Sequence, residues 1–483
     1  MIEFFVYFQT HIIAVIMLFI TVTAVSHVIL NKNDTRAAIG WTGIILMFPV
    51  IGSLLYMLFG INRIKRKASS LRGRRIREYL LTHTRQCSKE ELITMLPDNS
   101  LHLLMLYSAV NSIAKRRLVC GNEIIPLQNG DEAYPAMINA INNAKSSITL
   151  ATYIFQHDYA GKLFTDALGN ALKRGVEIRV LIDHVGSRYS FPTIIGLLKR
   201  MEIKTAQFIP TYLPFPTQYM NLRNHRKILV VDGKAGFTGG MNIGQANIIK
   251  NDYRHPVQDL HFQIKGPVVS HLQEAFAEDW VFAAHEVLEG EKWFPALSDV
   301  GAVNARGITD GPDEDKDKHL TVILSALTCA QHTVRIITPY FLPESELMSV
   351  LTIAAMRGVT VDIMLPQVNN LRLVNWAALA HVGYLLEHGC RIWFNPPPFD
   401  HTKMMVVDDT WSFIGSSNWD PRSLRLNFEF NIECYSPMLA NNLIKIFEHK
   451  KMFSKQLMLD DFHKWPLLVQ IRNNLARLLT PYL

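Results

Sequence analysis

The sequence predicts an α/β protein: two α/β sandwich halves related by a pseudo-twofold axis, preceded by a two-helix transmembrane hairpin. Three observations predict it. The run His225-Arg226-Lys227-Ile228-Leu229-Val230-Val231-Asp232 returns 176 residues later as His401-Thr402-Lys403-Met404-Met405-Val406-Val407-Asp408. The segments around each run repeat too, as strand-like and helix-like stretches in alternation. Two long charge-free stretches open the chain.

Those stretches come first in order. Phe4–Leu30 gives 27 residues without Asp, Glu, Lys or Arg, and Ile39–Gly60 gives 22 more. At about 1.5 Å per residue the shorter one reaches about 33 Å, enough for a bilayer core. A cleaved signal peptide fits poorly, because no basic n-region precedes the first stretch and a second follows at once. A 49% share of hydrophobic residues agrees with membrane segments.

Residues 61–77 then carry eight Lys or Arg and no acid. The positive-inside rule puts that end and everything after it in the cytoplasm, with the N-terminus on the same side. Residues 1–60 sum to zero, so the +7 chain leaves −1 for residues 78–483. A body without spread positive surface argues against nucleic acid as substrate. The basic run beside a span reads as a stop-transfer signal and as an anchor on anionic lipid.

The chain therefore divides into a hairpin (1–62), a basic linker and connector (63–130), a first half (131–294), an inter-half loop (295–318), a second half (319–460) and a C-terminal segment (461–483). Ser147–Phe155 answers to Thr333–Phe341, and Arg174–Asp183 answers to Arg357–Pro366. Each half reads as strand, helix (Gly161–Lys173; Glu344–Met356), strand, helix, motif strand. The segment Pro295–Lys318, rich in Asp, Gly and Pro, reads as loop. Tyr212–Pro216, just before the first motif, could form a lid. Residues from Trp465 onward read as an amphipathic helix, lying on a membrane interface or packed on the domain.

The motifs carry the chemistry. Four apolar residues between Lys and Asp suit a buried strand. Side chains alternate along it, so His225 and Lys227 share a face, as do His401 and Lys403. Asp232 and Asp408 sit at an odd offset and should anchor the strand end through an ion pair or a turn. Seven residues on begin Gly239-Gly240-Met241-Asn242 and Gly415-Ser416-Ser417-Asn418. The small residues Gly240 and Ser416 would let the backbone approach a ligand, and the Asn242 and Asn418 amides can donate to a phosphate oxygen. One half holds one motif His and a two-step displacement needs two, so both motif strands must face one cleft.

Cys87, Cys120, Cys329, Cys390 and Cys434 are odd in number and lack Cys-x-x-Cys spacing, which suits a reducing compartment without a disulfide framework or a zinc site. The 18 His residues form no evident ligand cluster. Neither a metal nor a cofactor is expected.

The two motifs resemble the paired HKD motifs of the phospholipase D superfamily. Nearly end to end, the chain resembles the bacterial cardiolipin synthases with two transmembrane helices. Asp420-Pro421-Arg422-Ser423, Asn427-Phe428-Glu429 and Thr338-Pro339-Tyr340-Phe341-Leu342-Pro343 carry that resemblance, with Trp41, Pro49, Gly52, Tyr56 and Gly60 near the N-terminus. It implies a transferase of the bacterial inner membrane that joins two phosphatidylglycerols through a phosphohistidine. His225 would attack and His401 would exchange protons with the alcohols. Lys227, Lys403, Asn242 and Asn418 would hold the phosphate oxygens. Asp259, 34 residues after His225, and Glu429, 28 after His401, are acids placed to bond each His and fix its tautomer. Such a site needs a neutral His225 and a charged His401. A hydrolase using water has the same residues, and phosphatidylethanolamine is an alternative donor. A scaffold or a nuclease fits less well. Protein partners are not legible in the sequence.

Overall fold

The computed structural model describes residues 2–32, 35–60, 86–209, 222–251, 253–312, 315 and 317–480. The basic run at 63–77 and the expected lid at 212–216 lie outside the described residues. The N-terminal elements and the body that carries both motifs are separate units.

In the first unit, a helix runs from Ile2 to Asn31, and His11–Asn31 of it is long and apolar enough to cross a membrane. Phe19, Val22 and Leu30 on this helix are exposed. The second charge-free stretch is not one helix. It divides into Thr35–Met47, Pro49–Leu55 and a π-turn at Tyr56–Gly60. The break falls on Phe48 (φ −134°, ψ 76°), because Pro49 excludes the residue before it from helical conformation. The pieces hold together through Tyr56, whose hydroxyl lies 2.8 Å from His27 Nδ1 and whose ring meets Trp41 edge-on. Val28, Ile45 and Tyr56 are buried among them.

The body is a mixed α/β structure around one sheet. Its first half supplies β1 (Val119–Gln128), β2 (Ser147–Thr152), β3 (Glu177–Asp183), β4 (Lys204–Phe208), β5 (Ile228–Val231), β6 (Ala235–Gly239), β7 (Val257–Gln258) and β8 (Leu260–Lys265). The second supplies β9 (Val303–Asp310), β10 (Thr333–Ile337), β11 (Thr360–Pro366), β12 (Arg391–Asn395), β13 (Phe399–Asp400), β14 (Met404–Val407), β15 (Trp411–Gly415), β16 (Glu429–Tyr435) and β17 (Lys455–Leu457). The sheet order is β17-β12-β11-β10-β14-β15-β16-β9-β1-β8-β6-β5-β2-β3-β4, and β7 pairs with β13 apart from it. Outward from the β9–β1 junction the two halves run through seven strands in matching succession, and the second half adds β17 at its edge. The sheet is therefore continuous from one half into the other.

The expected helices are present, as Tyr159–Lys173 and Ser345–Met356. The first is capped by the Asp158 carboxylate, which accepts from Gly161 N at 2.9 Å, and it buries Phe164 and Leu168 against the first half's core. More strands form than the periodicity indicated. The segment 295–318 is not a loop, because it contains β9, whose eight residues are all buried. Arg306 hides this strand from a hydropathy reading, since its charge is neutralised inside the sheet by Glu433. Likewise the connector 63–130 holds β1, the first strand of the sheet.

The cysteines depart from expectation as well. Cys87 and Cys120 form a disulfide across a Cα–Cα distance of 5.1 Å. The cause is local pairing: Gln86 bridges Val119, and Cys87 N donates to Leu118 O at 2.8 Å. Spacing along the chain could not reveal that contact. Among the described residues, the one cluster with metal-ligand atoms is Cys87, Glu91 and Cys120, and its two sulfurs are bonded to each other.

Candidate active site

Each motif is locked at its entrance to the opposite half. His225 N donates to Phe428 O (2.9 Å), beside a bridge between Asn224 and Phe428. His401 N donates to Gln258 O (2.7 Å), where Phe399 of β13 pairs with Val257 of β7. The residue after each accepting carbonyl is an acid. Glu429 Oε1 therefore lies 2.9 Å from His225 Nδ1, and Asp259 Oδ2 lies 2.8 Å from His401 Nδ1. This corrects the pairing that sequence order suggested. Both acids bond a motif histidine, but they are exchanged: Asp259 serves His401 and Glu429 serves His225. Proximity in sequence misled because the acid-bearing segments cross between the halves.

Each motif lysine bonds the carbonyl of its own motif histidine. Lys227 Nζ donates to His225 O at 2.7 Å and stands over the Tyr153 ring; Lys403 Nζ lies 2.9 Å from His401 Nδ1 and also bonds the His401 carbonyl. Burial pushes Lys227 down to about 7 and Lys403 down to about 8, with Glu429 and Asp259 opposing the shift. For the acids, burial alone would raise the pKa. The Lys403 and His401 charges outweigh it at Asp259, and His225 and Lys227 outweigh it at Glu429, so both stay below the ordinary carboxylate range. Burial also lowers His225, partly offset by Glu429, and lowers His401 to about 4, where Lys403 adds to the shift and Asp259 opposes it. The environment thus moves both imidazoles toward neutral. That suits the neutral His225 the expected roles require and opposes the charged His401.

Asp232 and Asp408 do not reach the cavity. Each sits at positive φ at the end of its motif strand and accepts a row of amides: Lys145, Ser146 and Ser147 for Asp232, Gln331, His332 and Thr333 for Asp408. His102 Nε2 adds a 2.6 Å contact to Asp408. These acids tie the motif strands to the starts of β2 and β10.

Gly240 and Ser416 lie behind the histidines, not against the cavity. A Cβ on Gly240 would fall 2.3 Å from Asp259 Oδ1, and Ser416 Oγ donates to Glu429 Oε2 at 2.5 Å. Their small size makes room for the acids, so the close approach they permit is to a carboxylate and not to a ligand. Asn242 and Asn418 do line the cavity. Asn242 Oδ1 accepts from Ile154 N (3.2 Å), and Asn418 Nδ2 donates to Ser423 Oγ (3.1 Å).

The cavity holds about 330 Å³ and is lined from both halves, with His225 and His401 in its wall. Sequence reasoning missed several of its residues. The Tyr153 ring lies 5.2 Å from that of His225, and the Tyr340 ring 6.0 Å from that of His401. Arg223 and Arg422 also line it. The tyrosines stand at the ends of the repeated strands, a signal the repeat carried. Arg223 had no signal beyond lying two residues before a motif histidine.

Residues 137–280 and 323–451 match the family described as cardiolipin synthase, phospholipase D-like domain, and residues 19–60 match the phospholipase D-nuclease N-terminal family. A cardiolipin synthase of Alkalihalophilus pseudofirmus is 31% identical over 457 residues, covering 94% of this chain and 90% of that one. The major cardiolipin synthase of Bacillus subtilis is 30% identical over 463 residues, covering 94% and 95%. Among solved structures, a phosphatidylserine synthase of Haemophilus influenzae aligns with a TM-score of 0.61 at 15% identity, covering 78% of this chain and all of that one, which is a likeness of fold.

Proposed function

The chain belongs to the cardiolipin synthase family built on phospholipase D-like domains, and from that premise we propose that it is a membrane phosphatidyltransferase joining two phosphatidylglycerols into cardiolipin and glycerol. One observation carries the reading: two motif histidines share a single cavity, each held at Nδ1 by an acid from the opposite half. With Nδ1 so committed, Nε2 of each ring is left for chemistry. In the first step Nε2 of His225 forms a bond to phosphorus as the bond to the glycerol oxygen breaks, and His401 gives that oxygen a proton. In the second, a hydroxyl of the second lipid gives its proton back to His401 and displaces Nε2. Lys227, Lys403, Asn242 and Asn418 stabilise the charge on the non-bridging oxygens. A bound phosphodiester anion raises both imidazoles and both lysines, which burial alone depresses. The reaction exchanges one phosphodiester for another and needs no nucleotide.

The two histidines are held alike, each at Nδ1 by a buried acid, and that likeness supports a second reading in which His401 is the nucleophile and His225 the proton carrier. Trapping decides. Quenching the enzyme with phosphorus-labelled phosphatidylglycerol should yield an acid-labile, lipid-bearing phosphohistidine. Under the first reading His225→Ala never forms it, whereas His401→Ala still forms it from a donor with an activated leaving group. The opposite pattern reverses the roles. Undiminished transfer by either variant on the natural lipid would sink the two-histidine mechanism.

The division into hairpin, linker, two halves and C-terminal segment belongs to the same reading, as does the pseudo-twofold relation of the halves, which the mirrored strand order supports. The N-terminal helix anchors the protein in the membrane, and the broken second stretch returns the chain to the side it came from. The eight basic residues at 61–77 favour the cytoplasmic side for the body, whereas the Cys87–Cys120 disulfide favours an oxidising one. Labelling of Cys120 in intact cells by an impermeant thiol reagent after an impermeant reductant would place the body outside. The C-terminal helix Leu467–Leu478 packs Asn473 and Ala476 inward and exposes Leu468, Leu475 and Leu478, as a helix resting on lipid would.

A further inference from the structure

Resting on the transferase reading, the cavity raises the question of where the lipid's chains go. Its volume of about 330 Å³ stands at the low end of what a drug-sized ligand fills. A phosphodiester and its glycerol fit there, whereas the acyl chains of a diacyl lipid do not. The chains must stay at the mouth, where contact with water is unfavourable for them.

That mouth is apolar on both sides. Strands β3 and β11 hold the same place in the two halves, and the segments that follow them both reach the cavity, at Tyr189 and at Asn370 and Leu371. After β3 comes Arg188-Tyr189-Ser190-Phe191-Pro192, where Tyr189 is exposed and Phe191 is 98% exposed. After β11 comes Val368-Asn369-Asn370-Leu371-Arg372-Leu373, where Val368, Leu371 and Leu373 are exposed. Single exposed hydrophobes are ordinary, but these stand on two matched loops at the rim of one opening.

The loops turn their polar groups inward. Val185 N and Gly186 N donate to Asp183 Oδ1 (2.9 and 3.1 Å), and His157 N donates to Ser190 Oγ (3.0 Å). Across the cavity Asn369 Nδ2 donates to Pro339 O (2.8 Å), Leu371 N to Asn369 Oδ1 (2.9 Å) and the Tyr340 hydroxyl to Asn370 Oδ1 (2.9 Å). Backbone satisfied in this way loses little on leaving water, which entry into lipid requires. Charge agrees. Neither His184–Met201 nor Gln367–Leu386 contains Asp or Glu, while Arg188, Lys199, Arg200 and Arg372 lie within them. Aromatic and aliphatic side chains set among basic ones, without acids, match the interface of an anionic bilayer. The C-terminal helix, with its exposed leucines, packs Ala476 into the same cluster as Val374, which stands in the cavity wall.

We propose that the two loops are a pair of lips that insert into the surface of a bilayer containing anionic phospholipid and seat the cavity mouth on it. A phosphatidylglycerol head group then enters the cavity while its chains remain in the membrane, and the seal keeps bulk water from the phosphohistidine.

The test uses the full chain in vesicles of phosphatidylglycerol and phosphatidylcholine. A nitroxide attached at Phe191→Cys or Leu373→Cys, after subtraction of the signal from the unsubstituted chain, should collide more with oxygen, which dissolves in hydrocarbon, than with a water-soluble nickel complex. A nitroxide at Met356→Cys should show the reverse, since Met356 is exposed just before β11, at the strand end away from the cavity. Phe191 and Leu373 do not line the cavity, so they can be changed without touching the reacting groups. Phe191→Glu and Leu373→Glu should each lower turnover of vesicle phosphatidylglycerol about tenfold, and more when combined. Turnover of a short-chain phosphatidylglycerol dispersed as monomers should be unchanged in both. Nickel contact at the lips equal to that at Met356 leaves them in water and overturns the proposal. So does undiminished turnover on vesicles, and so does an equal loss on vesicle and dispersed lipid, which would make the loops part of lipid binding or of folding. Phosphatidic acid as the wild-type product would overturn the transferase reading without altering the depth of the labels, so the two failures are told apart.

Discussion

Exchanging Glu429 and Asp259 for their amides tests the crossed pairing of acids and histidines. Glu429 lies 2.9 Å from His225 Nδ1 and is fully buried, so Glu429→Gln replaces a charge-assisted hydrogen bond with a neutral one at constant size. The direct loss is about 1.5–3 kcal/mol. An amide can also donate, which favours the wrong histidine tautomer; in serine-protease triads the equivalent change costs about 10⁴-fold. A fall in turnover of about 10²- to 10⁴-fold is expected, or about 2.7–5.4 kcal/mol of barrier. The identity of the impaired step is the sharper readout. Glu429→Gln should copy His225→Ala, and Asp259→Asn should copy His401→Ala, in phosphoenzyme trapping with natural and activated donors. Acidity gives a second check. The Glu429 charge raises the His225 pKa, so removing it lowers that pKa and moves the limb reporting a neutral His225 toward lower pH. Asp259→Asn should leave that limb in place. If Asp259→Asn instead copied His225→Ala, or Glu429→Gln turned over at near wild-type rate, the crossed arrangement would be refuted.

Other outcomes follow from the same geometry. Activity should survive EDTA, because lysines and asparagines are assigned to the phosphate oxygens; full loss restored by one divalent ion would overturn that assignment. Asp232→Asn should weaken folding by about 1–2 kcal/mol, as the row of amides loses a charged acceptor, measured by denaturant titration. Burial raises the Asp232 pKa but the amide bonds lower it further. Its contribution is therefore present above the unfolded value of about 3.9 and is lost as pH falls through the lower folded value. The wild-type advantage over Asp232→Asn should shrink in acid, and a constant difference would contradict the assignment. Removal of residues 1–60 should leave a protein that binds anionic vesicles through the 61–77 run, at about 1 kcal/mol per basic residue, and releases them with salt. Binding indifferent to ionic strength would instead point to the exposed leucines of Leu467–Leu478.

Much of this site was legible because it was written twice. The repeated His, Lys, Asp and Asn fixed which residues mattered, and strand parity sent His225 and Lys227 one way and Asp232 another. What the repeat could not carry was contact between the halves. Gln258 and Phe428 accept from the opposite motif, and so the acids that follow them change partners. Buried charge hid other elements. β9 contains Arg306, whose partner Glu433 lies more than a hundred residues away, and a charged, Gly-containing stretch reads as loop until that partner is known. Apolar character has the converse weakness. Ile39–Gly60 carries no charge anywhere, yet Pro49 divides it, because the backbone restriction a proline imposes on its predecessor acts whatever the side chains around it. Arg223 and Arg422 stayed invisible as a pair because nothing in the sequence sets residues 199 apart on adjoining backbone.

The most direct test of transfer is the product balance from phosphatidylglycerol alone. Purified enzyme in micelles should convert it to cardiolipin and free glycerol in near-equal amounts, with little phosphatidic acid, and a large excess of glycerol should then drive cardiolipin back to phosphatidylglycerol. Both sides of that reaction are phosphodiesters, so reversal is expected of a transferase working through a phosphohistidine. Phosphatidic acid as the main product, with no reversal by glycerol, would contradict transfer and make the same two histidines those of a hydrolase.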